Sequence, residues 1–142
     1  LLNINLAGIE QQGLDLKLGY TFETAAAGRF SAQLTGTYLM KYDQDLVPGV
    51  IPVEDLAGGY EDNYGMFPDW SAFLTLGWEL GPLSANINGT FIPSVDDITF
   101  GTPPFAKIDS YNAWDVRFGY DFADLGPNVR LSLSINNITD EE

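Results

Sequence analysis

Carboxylates are the most abundant groups in this chain that could do chemistry, and many of them lie in one segment. Residues 43–69 contain no Lys or Arg. Several oxygen ligands at a suitable spacing bind hard cations such as Ca²⁺, but Asp43-x-Asp45 lacks the glycine turn and distal glutamate of a Ca²⁺ loop. We therefore interpret the segment as a solvated acidic surface loop and expect no metal site. Its carboxylates are Asp43, Asp45, Glu54, Asp55, Glu61, Asp62 and Asp69.

The same segment holds bulky side chains that could contact a ligand. Aromatic rings stack on sugars and on other rings, and a flexible thioether adapts to an irregular partner. The alternative is that these side chains pack the loop against its neighbours. The candidate ligand-contacting residues are Tyr60, Tyr64, Met66 and Phe67.

The composition argues against catalysis and against nucleic-acid binding. The chain has no His and no Cys, so a Ser-His-Asp triad and a thiolate zinc site are excluded. Asp96 and Asp97 could serve as a glycosidase pair, but nothing in the sequence fixes their separation. We expect no catalytic residue, no cofactor and no enzymatic activity. The formal net charge of −14 repels nucleic acid.

Alternation of apolar and polar residues predicts an all-β chain in which the charges share one face of the strands. Successive side chains of a strand point to opposite faces, so Leu14, Leu16 and Leu18 face away from Asp15 and Lys17. No helix is evident. The predicted strands are 13–22, 30–42, 70–80, 83–92, 111–122 and 129–137.

The predicted connections alternate between short and long. Short turns follow the first, third and fifth strands, and long loops cover about 43–69 and 93–110. This is the layout of an up-and-down meander, and of outer-membrane barrels with short periplasmic turns and longer extracellular loops. Strands of about 9–11 residues also suffice to cross a membrane when tilted. Six antiparallel strands cannot close a barrel, so we expect one arc of a larger barrel.

The two faces are therefore predicted to meet different solvents. Aromatic residues near both ends of the apolar face suit a membrane interface. The predicted lipid-facing residues are Leu14, Leu16, Leu18, Leu74, Leu76, Trp78, Val116, Phe118, Leu131 and Leu133. The predicted lumen-facing charges, which would otherwise form ordinary cross-strand pairs, are Asp15, Lys17, Glu79, Asp115, Arg117, Asp121 and Arg130.

Two alternatives share this periodicity. A soluble carbohydrate-binding β-sandwich would bury the apolar face in its own core. A passive porin or fatty-acid channel would have the same wet and greasy faces as a receptor barrel.

Four short motifs resemble TonB-dependent outer-membrane receptors. Residues 111–115 read Tyr-Asn-Ala-Trp-Asp, and residues 137–140 read Asn-Ile-Thr-Asp, with Ile where that family usually has Leu. Residues 9–16 resemble a strand opening of the family, and residues 67–70 resemble its Pro-x-Trp entry to a downward strand. In order and spacing they resemble the C-terminal part of the receptor barrel.

The resemblance implies a barrel of about 22 strands that is closed by a separate plug domain. Residues 1–142 would be a partial C-terminal barrel segment in which the plug and the final strand are absent. The implied function is import of a scarce nutrient (a ferric siderophore, cobalamin or an oligosaccharide) with energy delivered through TonB. The implied partners are outer-membrane lipid, TonB, the plug domain and a small nutrient ligand. The implied location is the bacterial outer membrane.

Overall fold

The structure is a computed structural model that describes residues 8–47, 49–50, 53–99, 103–122 and 129–141. All regular elements in this part of the chain are β-strands. Six are long: β1 (Gly8–Thr24), β2 (Gly28–Asp45), β6 (Trp70–Leu80), β7 (Leu83–Ile92), β10 (Tyr111–Phe122) and β11 (Val129–Ile135). Five are short: β3 (Glu54–Asp55), β4 (Gly59–Glu61), β5 (Gly65–Phe67), β8 (Val95–Asp97) and β9 (Ala106–Ile108).

The long strands form one sheet in the order β1-β2-β6-β7-β10-β11, and β3 pairs with β2. Neighbours in this sheet follow each other along the chain, which is the predicted antiparallel meander and is consistent with an arc of a larger barrel. The strand registers place apolar residues opposite apolar residues and polar residues opposite polar residues. Phe118 is opposite Leu133, whereas Arg117 is opposite Ser134. The period-two alternation therefore gives one apolar and one polar face.

Glycine is required at the turn between β1 and β2. Gly28 has a φ of 82°, and a Cβ there would collide with the backbone carbonyl of Glu79. β1 and β2 extend beyond the predicted ranges 13–22 and 30–42 at both ends. β11, predicted to cover 129–137, ends instead at Ile135, because Asn137 takes a left-handed φ of 48°. The predicted turn over 123–128 lies outside the described residues.

The chain divides into two compact units. Unit 1 comprises the described residues of 8–15, 37–71 and 92–110, and unit 2 those of 16–36, 72–91 and 111–141.

Unit 1 differs from the prediction, because its two long connections are not simply solvated loops. They contribute strands to a second sheet of order β5-β4-β8-β9, in which β4 and β8 run parallel. Leu56 and Val95 are its fully buried side chains. Backbone bonds connect the two connections directly, since Asp96 N donates to Gly58 O and Ile98 N donates to Tyr60 O. The acidic segment is thus part of a hydrogen-bonded sheet and contains a fully buried leucine, Leu56.

Burial elsewhere is sparse. Among the described residues, the buried hydrophobic side chains are Leu39, Leu56, Val95 and Ala113, and no polar or charged residue is buried. No described helix is long and apolar enough to cross a membrane.

Truncation of Leu56 tests whether the connections of unit 1 fold as a unit. Leu56→Ala removes a fully buried side chain, so the opening free energy of the small sheet should fall by about 2–5 kcal/mol. Hydrogen exchange at the Asp96 and Ile98 amides reports this opening. The control is Leu46→Ala, where the side chain is 37% exposed and the expected change is small. Unchanged exchange in Leu56→Ala would show that Leu56 does not hold the sheet together.

Candidate functional site

The apolar face of the long strands remains open to its surroundings. Leu131 and Leu133 on β11 are 64% and 60% exposed, and Phe118 on β10 is 51% exposed. On β1, Leu14, Leu16 and Leu18 are exposed as well. Leu76 is exposed, and the remaining predicted lipid-facing residues Leu74, Trp78 and Val116 are partly exposed. A soluble sandwich requires this face to be buried, which these exposures contradict.

Aromatic rings cluster on the apolar face of unit 2 near both strand ends. Close to the short turns, Phe22 stacks on Phe30 with centroids 4.9 Å apart, and Tyr120 lies 4.6 Å from Phe122. At the opposite ends of the strands, Phe91 and Trp114 meet edge to face at 5.3 Å. The predicted gathering of rings at both ends is therefore confirmed within this unit.

The polar face of unit 2 carries charged side chains that are held by neutral hydroxyls. Arg117 Nε donates to Ser134 Oγ at 3.0 Å, its direct cross-strand partner. Arg130 Nη2 donates to Ser84 Oγ at 2.7 Å. Arg130 also lies 3.7 Å from Asp121, its register partner, in a long ion pair whose two side chains are both about half exposed. Such a pair contributes little to stability.

A glycine allows Arg130 to cross a neighbouring strand. Arg130 is on β11 and Ser84 is on β7, with β10 between them. The residue of β10 beneath the guanidinium is Gly119, where a Cβ would lie 2.7 Å from Arg130 Nη2 and 2.6 Å from Ser84 Oγ. Any side chain at this position would occupy the path of the arginine.

The other predicted polar-face charges have separate surroundings. In unit 1, Asp15 Oδ1 accepts a hydrogen bond from Thr37 Oγ1 at 2.7 Å. In unit 2, Asp115 Oδ1 accepts from the Asn137 backbone N–H at 2.8 Å and holds the chain where β11 ends. Lys17 is exposed on β1. Asp15 and Asp115 thus order local structure, while Arg117 and Arg130 face the same concave surface as Glu79.

The four candidate ligand-contacting residues of unit 1 are divided between two roles. Tyr60 on β4 is opposite Met66 on β5, and Tyr64 lies exposed in the turn between these strands. Phe67 packs on Tyr42 with ring centroids 4.4 Å apart, so it serves the interior of the unit. Tyr60, Tyr64 and Met66 therefore remain the candidates for contact with a ligand.

The acidic side chains of unit 1 are used mainly in local contacts. Asp96 pairs with Lys107 at 2.9 Å, and Asp97 accepts a hydrogen bond from the Thr99 N–H. As successive residues of β8, the two carboxylates project to opposite faces and do not form a catalytic pair. The described residues contain no group of three or more carboxylates placed to hold a metal ion.

The predicted lumen-facing set omitted Arg29. This residue is exposed at the start of β2 and lines the same concavity as Arg117 and Arg130. The predicted strand began at Phe30. Beginning it one residue earlier would have placed Arg29 on the same polar face as Ser31. The crossing of Arg130 over Gly119 left no comparable signal, because it depends on contacts between strands far apart in sequence.

The sheet has one exposed apolar face, and on its other face charged side chains form hydrogen bonds with hydroxyl groups. These two faces are consistent with the wall of a transmembrane β-barrel. Residues 1–138 match the family model described as "TonB dependent receptor-like, beta-barrel". The chain belongs to this family of outer-membrane receptors, which confirms the resemblance drawn from the motifs. No curated protein and no solved structure matches the chain.

Titration of Tyr60 tests the contacts in unit 1. Asp62 accepts a hydrogen bond from the Tyr60 phenol and raises the pKa of that phenol, and the charges of Asp62, Asp97 and Glu61 add to the effect. The neutral phenol is thereby favoured in the folded state. Its contribution to stability is full below the ordinary tyrosine pKa of about 10 and is lost as the pH rises through the raised pKa.

We expect Asp62→Asn to lower the Tyr60 pKa toward its ordinary value. The measurement is the tyrosinate absorbance of each protein, from which the titration of the corresponding Tyr60→Phe variant is subtracted. Asp109→Asn, which removes an exposed carboxylate from the same unit, is the control and should leave the curve unchanged. An identical Tyr60 titration in Asp62→Asn would contradict the assigned hydrogen bond.

Proposed function

We propose that this chain forms part of the barrel wall of an outer-membrane receptor that imports a scarce nutrient with energy derived through TonB. The observation that carries the proposal is the two-faced sheet. Leu131 and Leu133 are exposed on one face, while Arg117 and Arg130 bind serine hydroxyls on the other. An exposed apolar face of this kind suits hydrocarbon, and a polar interior suits the passage of a hydrophilic solute.

The edges of the sheet support the same proposal. Among the described residues, β1 and β11 are the two ends of the strand order and each has one long neighbour. An unpaired strand edge in hydrocarbon leaves backbone N–H and C=O groups without partners, at several kcal/mol for each group. We infer that both edges pair with further strands of the receptor, and that a plug domain of the receptor fills the interior.

The small sheet of unit 1 is the proposed point of contact with the nutrient. It carries Tyr60, Tyr64 and Met66 close to Asp62, whose carboxylate accepts a hydrogen bond from the Tyr60 phenol. Rings beside carboxylates suit a sugar or another ligand with donor hydroxyls. The negative charge disfavours contact with anionic ligands at this surface.

A pair of arginine substitutions on β1 tests which face meets lipid. Leu18 is 54% exposed on the apolar face, and its neighbour Gly19 is on the polar face with open space where a side chain would project. Leu18→Arg should reduce the unfolding free energy in lipid vesicles by about 2–4 kcal/mol near the bilayer mid-plane, and by less toward an interface. Gly19→Arg is the matched control and should cost far less.

Equal losses from Leu18→Arg and Gly19→Arg, measured by urea unfolding of the full receptor in vesicles, would contradict the assignment of the faces. A loss confined to Gly19→Arg would reverse it.

Energy coupling is tested in cells. Uptake that depends on the receptor should be abolished in a strain without TonB, whereas a passive channel would retain it. The control is a passive porin in the same strain, whose transport should be unaffected. Undiminished receptor-dependent uptake without TonB would favour the passive-channel alternative.

A further inference from the structure

All three arginines of the chain line one concavity on the polar face of unit 2. The concavity has a volume of about 370 Å³, within the usual range for small-molecule sites of about 300–1,000 Å³. It is lined by Arg29, Arg117 and Arg130 together with Thr21, Ser31, Glu79, Ser84 and Asn86. In a chain with a net charge of −14, half of the six cationic side chains thus line one concavity.

Carboxylates neutralise these arginines only in part, since Arg130 forms a long ion pair with Asp121. Arg117 and Arg130 each bind a serine hydroxyl, which is neutral, and the distance from Arg130 to Asp121 is 3.7 Å. The three arginines are balanced by Glu79 among the lining residues and by Asp121 beside Arg130, so an excess of one positive charge remains. A guanidinium has five N–H donors, and the hydroxyl contacts occupy few of them. The remaining donors are available to a ligand.

Two glycines, Gly77 and Gly119, leave space in the concavity that side chains at these positions would fill. A Cβ at Gly119 would lie 2.7 Å from Arg130 Nη2 and 2.6 Å from Ser84 Oγ. A Cβ at Gly77 would lie 2.5 Å from Ser31 Oγ. The space above both strands is therefore reserved for polar side chains that arrive from neighbouring strands.

The crossing of Gly119 also brings the arginines within reach of one ligand. Arg29 is on β2, and Arg130 extends from β11 back to Ser84 on β7. Only β6 lies between β2 and β7, which corresponds to about 10 Å for two interstrand spacings. One molecule with two or more anionic oxygens can span that distance between guanidinium groups.

We propose that Arg29, Arg117 and Arg130 form a binding site for a small anion that carries carboxylate or phosphate groups. Guanidinium groups bind such oxygens through paired, charge-assisted hydrogen bonds. Ser31 and Asn86 line the same concavity and supply further donors around the anion. The proposal deepens the proposed function, on which it rests, by assigning an anionic substrate group to the space that the plug domain leaves open along this wall.

Inorganic phosphate is the probe, titrated into the purified full-length receptor in detergent at low ionic strength and followed by calorimetry. Arg130→Gln should weaken phosphate binding by about tenfold or more, because it removes a charge-assisted donor. Gly119→Ala should also weaken it by displacing Arg130 from Ser84. Binding should weaken further as salt is added.

Two controls separate the site from general electrostatics. Gly19→Ala makes the same substitution on the polar face where nothing lies within 4 Å, and Lys107→Gln removes an exposed positive charge in unit 1. Both should bind phosphate as the parent does. Circular dichroism and heat-modified electrophoretic mobility establish that each variant is folded.

Equal phosphate affinity in the parent and in folded Arg130→Gln would overturn the proposal. Absence of phosphate binding in the parent would also overturn it, and would favour an acidic side chain from another part of the receptor as the partner of these arginines. Either result leaves the face assignment intact if Leu18→Arg and Gly19→Arg still differ. A failure of the proposed function would instead appear in that pair of variants.

Discussion

Strand register is the constraint on which the rest of this molecule depends. The side-chain period of a strand is two residues, so a slip of one residue would move every leucine to the polar face and every charge to the apolar face. The pairing of β10 with β11 avoids this by placing Phe118 opposite Leu133 and Arg117 opposite Ser134. The pairing of β6 with β7 does the same with Leu76 opposite Ile87 and Gly77 opposite Asn86. Each hairpin thus preserves the separation of the two faces.

This separation changes what stabilises the protein. A soluble domain gains most of its stability from an apolar core, whereas among the described residues here the fully buried side chains, Leu56 and Val95, both lie in the connections of unit 1. The long strands are joined by backbone ladders and by contacts between side chains on neighbouring strands, such as the T-shaped pair of Phe91 and Trp114. Those rings also cover Gly89, whose missing side chain leaves them room. The apolar face of the long strands is otherwise exposed, as Leu131 and Leu133 show.

The sequence was informative where structure is local and periodic. β6, β7 and β10 begin and end at the predicted residues, because the alternation there is uninterrupted and ends at glycine, proline or polar residues. The short strands could not be predicted in this way. Two or three residues are too few to display a period, and the paired residues of the parallel strands β4 and β8 are 37 positions apart in the chain. Their pairing rests on backbone hydrogen bonds such as that from Ile98 N to Tyr60 O, which leave no periodic signal in the sequence.

The contrast between local periodicity and long-range contacts also explains which features of the polar face the sequence predicted. Alternation placed Arg117 and Arg130 on the correct side, but it carries no information about how far a long side chain extends across a sheet. That depends on what lies beneath it, and the absence of a side chain at Gly119 is as important as the presence of the guanidinium. On an exposed polar face, an arginine that donates to a serine loses little by remaining exposed, since solvent screens its charge. Its long pair with Asp121 leaves Arg130 about half exposed, whereas a short bidentate carboxylate pair would occupy more of its donors.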